Sequence, residues 1–236
     1  MTTNDGVAVR TDGVWKIFEH DGIAVEAVRD VSLEVKRGDF LAMAGPSGSG
    51  KTTLLNLIGG LTRPTRGSVW IGDQDLTGLS ENQLARLRLD RVGFIFQAHN
   101  LLPVLTALEN AEFSMLLRGV EKAERHRRVR EMFQAIGIAG LEDRWPNKLS
   151  GGEQQRVAVV RAVIGEPAIV LADEPTANLD SASSATLLDI MERFNQELGT
   201  TFLFCTHDPR VMERSRRLIR LVDGAIESDR LVTPTG

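Results

Sequence analysis

The sequence predicts an α/β fold built on a mixed, mainly parallel sheet, with an antiparallel β region at the N-terminus and an inserted helical region. Three observations support this prediction. Residues 7–35 alternate β-prone and polar side chains, as half-buried strands do. Apolar runs at 40–44, 168–172 and 201–205 are separated by helical patterns, the order expected for a parallel sheet. Residues from about 98 to 160 show mainly helical patterns, so we expect them to interrupt the sheet.

The composition is that of an ordinary globular protein. The chain has 236 residues, of which 42% are hydrophobic and 25% charged. This length suits one large domain or two intimately packed lobes, and we interpret residues 1–236 as a single domain. The formal net charge of −4 argues against a dedicated nucleic-acid binder, because affinity for a phosphate backbone needs an excess of Lys and Arg. No apolar stretch approaches the roughly 20 residues that cross a bilayer. The single cysteine, Cys205, excludes an internal disulfide and fits a reducing compartment.

The N-terminal part is expected to consist mainly of strands. Turn signals at Asp12-Gly13 and Asp21-Gly22 divide it into β segments. The apolar run Phe40–Ala44 is bounded by glycine on both sides, which fits a buried parallel strand. A helix is expected over Thr52–Leu61. Further strands are expected at 67–72 and 92–96.

The middle of the chain changes to a helical pattern. Over residues 108–138 apolar side chains recur at helical spacing, as in Val129, Met132, Phe133 and Ile136. The charged run at 121–131 is interpreted as a solvated helix face. The strand–helix alternation then resumes, with a strand at 168–172, a helix at about 183–198 and a strand at 201–205.

A glycine-rich loop follows the first buried strand. Gly45-Pro-Ser-Gly-Ser-Gly-Lys-Thr52 has the pattern of a phosphate-binding P-loop, in which backbone N–H groups and the next helix's N-terminus face the phosphates. Lys51 is expected to reach the β- and γ-phosphates, and the Thr52 hydroxyl to bind Mg²⁺. A plain Gly/Ser surface loop is the alternative, but the position between a buried strand and a helix favours ATP or a close relative. The predicted contacts are Gly45, Pro46, Ser47, Gly48, Ser49, Gly50, Lys51, Thr52 and Thr53.

Two adjacent carboxylates, Asp173 and Glu174, end the apolar run at 168–172. Acidic groups are costly at the end of a buried strand unless a cation or a proton transfer uses them. In P-loop enzymes an acid in this place holds Mg²⁺, which suits Asp173. Glu174 would then orient and polarise an attacking water. The alternative is a strand that simply leaves the core into a polar turn at Pro175.

The segment Leu149-Ser-Gly-Gly-Glu153 begins another predicted helix. Ser150 and Glu153 have the spacing of a capping box, which is a sufficient structural explanation for both. Two consecutive glycines, Gly151 and Gly152, gain nothing at a helix start unless a ligand such as a phosphate approaches the backbone. The phosphates held by the P-loop are already satisfied, so these residues suggest a second copy of the chain.

Together the P-loop, the Leu-Ser-Gly-Gly segment and the run Ala172-Asp-Glu-Pro-Thr176 resemble the motifs of ATP-binding cassette (ABC) ATPases, over nearly the whole chain. The resemblance implies a P-loop NTPase fold with a RecA-like core, ATP and Mg²⁺ as cofactors, and ATP hydrolysis. It implies a head-to-tail dimer in which two ATP molecules lie between one subunit's P-loop and the other's signature segment, Ser150–Gly152. The implied partners are this second copy and integral-membrane permease subunits, at the cytoplasmic face of a bacterial inner membrane.

The resemblance also implies roles for individual residues. Gln97 matches the glutamine that joins the core to the helical lobe and touches Mg²⁺ and the attacking water. His207 matches the histidine that contacts the γ-phosphate. Asp180 closes the loop that couples the two sites across the dimer. The expected catalytic residues are therefore Glu174, His207 and Gln97, and the expected metal ligands are Thr52, Gln97 and Asp173.

The chain departs from the family pattern at two places. It contains no tyrosine, so the aromatic residue that stacks on adenine is expected to be Phe18, with Trp15 as the alternative and a core role open for either. Glu153, directly after the signature segment, replaces the commoner glutamine at that position. Since a carboxylate would repel phosphate, we expect Glu153 to turn back onto its own helix start.

Asn100–Asn110 resembles the corresponding segment of a bacterial subgroup, the lipoprotein-releasing, macrolide-export and cell-division ATPases. The leading prediction is therefore an ATPase subunit that powers a transporter or mechanotransmission complex. The alternative is a soluble cassette ATPase that acts on DNA or ribosomes as a binding module. Such relatives have long coiled-coil insertions or two cassettes, which this sequence lacks. An ATP-binding scaffold without turnover is a third possibility, disfavoured because Asp173 and Glu174 are both present.

Overall fold

The computed structural model describes residues 6–20 and 22–232. Within these ranges the strands are β1 (Val7–His20), β2 (Ile23–Lys36), β3 (Phe40–Ala44), β4 (Arg66–Ile71), β5 (Gln74–Asp75), β6 (Val92–Ile95), β7 (Ile169–Asp173), β8 (Phe202–Cys205), β9 (Arg217–Val222) and β10 (Ala225–Leu231). The α-helices are α1 (Lys51–Ile58), α2 (Glu81–Arg91), α3 (Ala107–Leu117), α4 (Lys122–Ala135), α5 (Gly151–Val163), α6 (Ser181–Leu198) and α7 (Pro209–Arg214). A short 3₁₀ helix, Pro146–Lys148, precedes α5.

The strands form two sheets. One has the order β2-β1-β4-β5 and is antiparallel; the other has the order β10-β9-β3-β8-β7-β6. In the second sheet only the edge pair β9–β10 is antiparallel among the described strands. This arrangement confirms the predicted mixed, mainly parallel sheet with an N-terminal antiparallel region and inserted helices.

The mainly parallel sheet is buried on both faces, which explains why its strands are continuous apolar runs. On one face Phe40, Phe202 and Phe204 pack with the apolar sides of α3 to α6. On the other face Leu41 and Met43 pack with α1 and the antiparallel sheet. Alternate side chains of each strand therefore enter different cores, and the carboxyl ends of β3, β6, β7 and β8 meet at one edge.

One predicted turn is wrong. Asp12-Gly13 lies inside β1, which runs unbroken from Val7 to His20. The pairing register with β2 shifts between Thr11 and Val14, and Gly13 has a positive φ of 53°, so the glycine serves a β-bulge and not a chain reversal. Gly13 N donates to Ser32 Oγ across this irregularity. Of the second predicted turn, Asp21 lies outside the described residues.

The pattern over 108–138 belongs to two helices. α3 ends at Leu117, and Gly119 follows with a φ of 76°, a backbone conformation that favours glycine. Val129 and Phe133 of α4 are fully buried, as predicted. The charged side chains of the run at 121–131 are exposed or half-buried, with one exception. Arg125 is buried and paired with Glu112 of α3 at 3.1 Å. The limits of 98 and 160 for a helical subdomain stay a prediction.

α2 was missed by the sequence analysis. Only Leu84 and Leu87 of this helix are buried, so no sustained apolar stripe identifies it. Its start could have been found, since Ser80 and Gln83 form a capping box.

Candidate nucleotide site

The predicted site residues of the core meet in one cleft at the carboxyl edge of the parallel strands. The cleft has a volume of about 940 Å³, and such an edge is where open α/β sheets bind ligands. The P-loop follows β3 and Gln97 follows β6. Asp173 is the last residue of β7, Glu174 comes directly after it, and His207 follows β8. The predicted residues that line it are Gly45, Pro46, Ser47, Gly48, Ser49, Gly50, Lys51, Thr52, Thr53, Gln97, Asp173, Glu174 and His207.

The P-loop encloses the Lys51 ammonium. Lys51 Nζ donates to Gly45 O and Pro46 O, both at 2.9 Å. Gly48 and Gly50 have φ values of 78° and 96°, which only glycine adopts without strain. The loop thus holds a positive charge at its centre by backbone contacts, where an anion could be bound.

The helix that follows the loop fits a phosphate. α1 begins after Gly50 with no side-chain cap and no acidic residue in its first turn, whereas each of the other described α-helices has a side-chain N-cap. Free N–H groups and the helix dipole at this end favour an anion. The described geometry therefore fits the phosphate group that the motif predicts.

Glycine is also required on the outer side of the loop. A Cβ at Gly45 would lie 2.0 Å from Leu221 O of β9, and one at Gly50 would lie 2.2 Å from Ala27 O of β2. The motif explains these glycines by contact with the ligand; the structure adds that neighbouring strands leave no room for a side chain.

Thr52 and Asp173 are in direct contact. Thr52 Oγ1 lies 3.1 Å from Asp173 Oδ2 and 3.3 Å from Oδ1, and donates to this carboxylate. Burial raises the pKa of the Asp173 carboxyl above its ordinary value, and the charge of Glu174 adds to the rise, while Thr52 and Lys51 oppose it. The raised pKa means that ionising Asp173 in this place costs free energy, and a bound cation would offset that cost.

Glu174 is held in a strained backbone conformation by its neighbours. Its φ is 47°, in the left-handed region that non-glycine residues rarely occupy. Glu174 N donates to Cys205 O at 2.9 Å, Thr206 Oγ1 donates to Oε2 at 3.0 Å, and His207 Nδ1 lies 2.6 Å from Oε1. The carboxylate is mostly buried, with 17% of the side chain exposed, and it is oriented at the edge of the cleft.

Gln97 enters the cleft from the loop after β6. Its backbone O accepts from Asn178 Nδ2 at 2.9 Å, so this loop is tied to the segment between β7 and α6. The side chain of Gln97 is exposed.

The cleft has a second wall that the sequence analysis missed. Arg29 of β2 donates through Nε to Asp223 O at 2.7 Å, and Gly224 N in the same turn donates to Ser49 O of the P-loop at 3.0 Å. The Asp223-Gly224 dipeptide signals a turn, but nothing local indicates that this turn meets the P-loop. The wall is formed by Val25, Glu26, Ala27, Arg29, Asp223 and Gly224.

Phe18 lies beside this second wall and not in the cleft itself. It pairs with Val25 in the β1–β2 register, and opposite residues of an antiparallel pair project to the same face. The ring is 45% exposed, with Lys16 Nζ 5.0 Å from its centroid. Trp15 is half-buried and pairs with Arg66 of β4, and it does not line the cleft.

The signature segment is not brought into this cleft. Ser150 is the N-cap of α5, and the predicted capping box is confirmed: Glu153 Oε2 accepts from Ser150 N at 2.7 Å and from Ser150 Oγ at 2.9 Å. These contacts, led by the backbone hydrogen bond from Ser150, lower the pKa of Glu153. Gly151 is exposed, and a Cβ there would meet its nearest atoms at an ordinary 3.9 Å. The chain's own packing therefore does not require Gly151, in contrast to Gly45 and Gly50.

Asp180 is likewise outside the cleft. It caps α6, with Oδ1 accepting from Ser183 N at 2.9 Å and Oδ2 from Ser183 Oγ at 2.7 Å. A coupling role across a dimer stays a prediction.

Comparison with known proteins agrees with this geometry. A model of the ABC transporter family matches residues 28–177. An uncharacterized ABC transporter ATP-binding protein of Thermotoga maritima is 43% identical over 91% of each chain. The lipoprotein-releasing system ATP-binding protein LolD 1 of Chlorobium chlorochromatii is 44% identical over 86% of this chain and 83% of that protein. The macrolide export ATP-binding/permease protein MacB of Syntrophobacter fumaroxidans is 42% identical over 94% of this chain and 31% of its own length.

A solved structure gives the same result. The dimeric structure of a post-hydrolysis state of the ATP-binding cassette MJ0796 bound to ADP and Pi is 37% identical, with a TM-score of 0.88 over 96% of this chain and 100% of that chain. The protein of that name is from Methanocaldococcus jannaschii. The family model covers more than half of the chain, and these relatives match nearly all of it. The chain therefore belongs to the ABC transporter family of ATP-binding proteins.

Proposed function

We propose that two copies of this chain close head to tail around two ATP molecules, hydrolyse them, and so power an integral-membrane permease of the export or lipoprotein-release type. ATP binding and hydrolysis follow from the family. The head-to-tail arrangement, the metal, the individual residue roles and the membrane partner are the proposed part.

The observation that carries the proposal is the division of the site between two surfaces. The P-loop, Asp173, Glu174 and His207 line one cleft, while Ser150–Gly152 lie outside it. Gly151 has no steric reason within the described part of its own chain to lack a side chain. A phosphate on a second copy supplies that reason, because a helix N-terminus without side chains lets an anion approach the backbone. The solved relative with ADP and Pi is described as dimeric.

The residues of the cleft suit phosphoryl transfer to water. Lys51 and the N-terminus of α1 would bind the β- and γ-phosphates. Thr52, Asp173 and Gln97 would hold Mg²⁺, which when bound neutralises charge on the phosphates. Among the described residues no group of three His, Cys, Asp or Glu side chains could hold a metal ion, so phosphate and water oxygens would complete the set.

Two further residues are assigned to the attacking water and to the γ-phosphate. Glu174 would orient and polarise the attacking water, its carboxylate directed by Thr206 and His207. His207, whose ring is 76% exposed, would contact the γ-phosphate. Phe18 would offer adenine the ring face that Lys16 leaves uncovered.

Asp173→Asn should separate stability from activity. Because the folded pKa of Asp173 is raised, its contribution to stability is present at acidic pH and is lost as the pH rises through the folded pKa. At neutral pH without nucleotide, the variant should therefore unfold at a higher temperature than the unsubstituted chain, and this gain should vanish at acidic pH. ATP hydrolysis with Mg²⁺ should nevertheless fall about a hundredfold or more. Thermal unfolding from pH 4 to pH 8 measures the stability, and phosphate release measures the hydrolysis. A variant that is less stable than the unsubstituted chain at neutral pH would contradict the conclusion that ionised Asp173 destabilises the fold.

Gly151→Asp tests the shared site directly. The new carboxylate would face the γ-phosphate bound by the partner, so hydrolysis should fall about a hundredfold, while ATP affinity of the chain's own P-loop stays unchanged. The fold should be retained, since an acidic residue at a helix N-terminus is favourable. Phosphate release and nucleotide titration measure the two effects.

Gly78→Asp is the matched control for this experiment. Gly78 is exposed and has no positive φ, and a Cβ there would meet no atom of the described residues within 4 Å. This control should hydrolyse ATP normally. Normal hydrolysis by Gly151→Asp as well would refute the shared site.

An apolar cleft between the core and the helices is the surface proposed for the membrane subunit. It has a volume of about 450 Å³ and includes Leu61, Phe96, Phe113 and Leu117. Leu61 and Leu117 are 47% and 53% exposed, which is typical of an interaction surface when such residues cluster.

Among the described helices none is long and apolar enough to cross a membrane. We propose a separate membrane subunit, with this chain at the cytoplasmic face of a bacterial inner membrane. The relatives named LolD and MacB are described as proteins of a lipoprotein-releasing system and of macrolide export, which disfavours the alternative of a DNA or ribosome binding module.

A further inference from the structure

A buried amide joins two loops of the nucleotide cleft. Gln155 lies on α5 just beyond the signature segment and is fully buried. Its Nε2 donates to Pro175 O at 2.8 Å, and its Oε1 contacts His99 Nδ1. Pro175 directly follows Glu174, and His99 lies in the loop that begins at Gln97. One side chain therefore links the helical region to both loops.

The chemistry of the neighbours determines how this amide is oriented. Pro175 O can only accept a hydrogen bond, so the amide must present Nε2 to it. The remaining Oε1 then faces His99, whose Nδ1 must carry the proton. In the hydrogen-bonded series Pro175–Gln155–His99, each polar group can therefore act only as a donor or only as an acceptor. An ionised carboxylate of the same shape at position 155 could only accept, so it could not replace the amide.

Both linked loops contain strained backbone. Glu174 has a φ of 47°, and His99 and Asn100 have φ values of 57° and 50°. Such backbone conformations are costly for residues other than glycine and persist only where surrounding contacts enforce them. Arg161 of α5 holds the second loop, donating to Asn100 O at 2.6 Å and His99 O at 2.9 Å. Gln155 holds the first loop at the residue next to Glu174.

The same link extends to the signature segment. His99 Nε2 lies 3.9 Å from the point that a Cβ of Gly151 would occupy. His99 thus lies next to Gly151 and contacts Gln155, which in turn donates to Pro175 O. Pro175 is the residue directly after Glu174, whose carboxylate faces the cleft.

We propose that Gln155 is a positioning residue for ATP hydrolysis. Its side chain fixes the position of Pro175 relative to His99 and to the N-terminal end of α5. It thereby also fixes the strained backbone of Glu174. Gln155 does not touch the nucleotide; its loss misplaces Glu174 and leaves the P-loop intact. The inference rests on the proposed roles of Glu174 and of the signature segment.

Gln155→Leu and Gln155→Glu test the proposal in the full chain. Leucine removes both hydrogen bonds. Glutamate keeps the volume and, when ionised, the acceptor for His99, but it then sets an oxygen without a proton against Pro175 O, so turnover of this variant is measured at alkaline pH. In both variants kcat for ATP hydrolysis should fall about tenfold or more, because small misplacements of catalytic groups have effects of that size, while KM and ATP affinity change less than about twofold. If the leucine variant does not fold, the isosteric glutamate variant decides.

Asn195→Ala is the control for a loss of stability alone. Asn195 is also buried, and its amide joins α6 to Gly38 O at 2.9 Å and Thr200 O at 2.7 Å, remote from the cleft. The Asn195→Ala variant should unfold at a lower temperature than the unsubstituted chain, and its kcat should be unchanged. The proposal is overturned if kcat stays normal in folded Gln155 variants, or if Asn195→Ala loses kcat to the same extent. An unsubstituted chain that fails to hydrolyse ATP would instead refute the proposed function, and this inference with it.

Discussion

Glu174→Gln should abolish ATP hydrolysis and leave an ATP-bound dimer that survives size-exclusion chromatography. Glutamine keeps the shape of the side chain and an acceptor for Thr206 Oγ1 or His207 N, which donate to Glu174 at 3.0 and 3.2 Å. It removes the charge that polarises water, so turnover should fall by about 10²–10⁴-fold. Because hydrolysis is the step that opens the proposed dimer, its loss should trap the closed form. Phosphate release and light scattering on the eluted protein measure the two effects.

A remote glutamate provides the control. Glu197 of α6 is 65% exposed and only weakly paired with Arg193, at 3.8 Å, at the opposite end of the sheet from the cleft. Glu197→Gln should behave as the unsubstituted chain, with normal turnover and no trapped dimer. If Glu174→Gln stays monomeric in ATP and Mg²⁺, the head-to-tail arrangement is wrong; if it turns over ATP normally, the role of Glu174 is wrong.

Lys51→Ala should remove both tight ATP binding and hydrolysis. The Lys51 ammonium is fixed at the centre of the P-loop by Gly45 O and Pro46 O, so it is in place for the phosphates without reorganisation. Charge-assisted hydrogen bonds to phosphate are among the strong ones, and loss of one that also stabilises the transition state should lower turnover about a hundredfold or more. Calorimetric titration with ATP and phosphate release would show the two losses.

Lys122→Ala is the matched control, because Lys122 is exposed at the start of α4 and alanine is a good helix former. Its affinity and turnover should equal those of the unsubstituted chain. Substantial residual hydrolysis by Lys51→Ala would count against the phosphate role of this lysine.

Features that depend on local sequence were predicted well. The strand Phe40–Ala44 was placed correctly, because an apolar run between glycines has few other structures. The capping box of Ser150 and Glu153 was found because it involves residues three apart on one helix turn. The bulge at Gly13 and the break at Gly119 were missed, because the same residue type serves a turn, a bulge or a helix end according to how the neighbouring chain pairs.

Contacts between distant segments could not be predicted in this way. Nothing in the P-loop indicates that Gly50 must be glycine because β2 passes 2.2 Å from its missing Cβ, or that the turn at Gly224 binds Ser49. In the sequence Gln155 is one polar residue among three in Glu153-Gln154-Gln155. Only its burial and its contacts with His99 and Pro175 distinguish it.

Short runs of residues were enough to establish that this protein holds a P-loop, a pair of acidic residues after a buried strand and a signature segment, since each run has its own chemistry. Which of them share a cleft depends on the packing of the whole chain. Lys51, Asp173, Glu174 and His207 converge because the carboxyl ends of parallel strands meet at one edge of the sheet. Ser150–Gly152 start a helix of the inserted region and lie outside that cleft, which is why we propose that another copy of the chain completes the site.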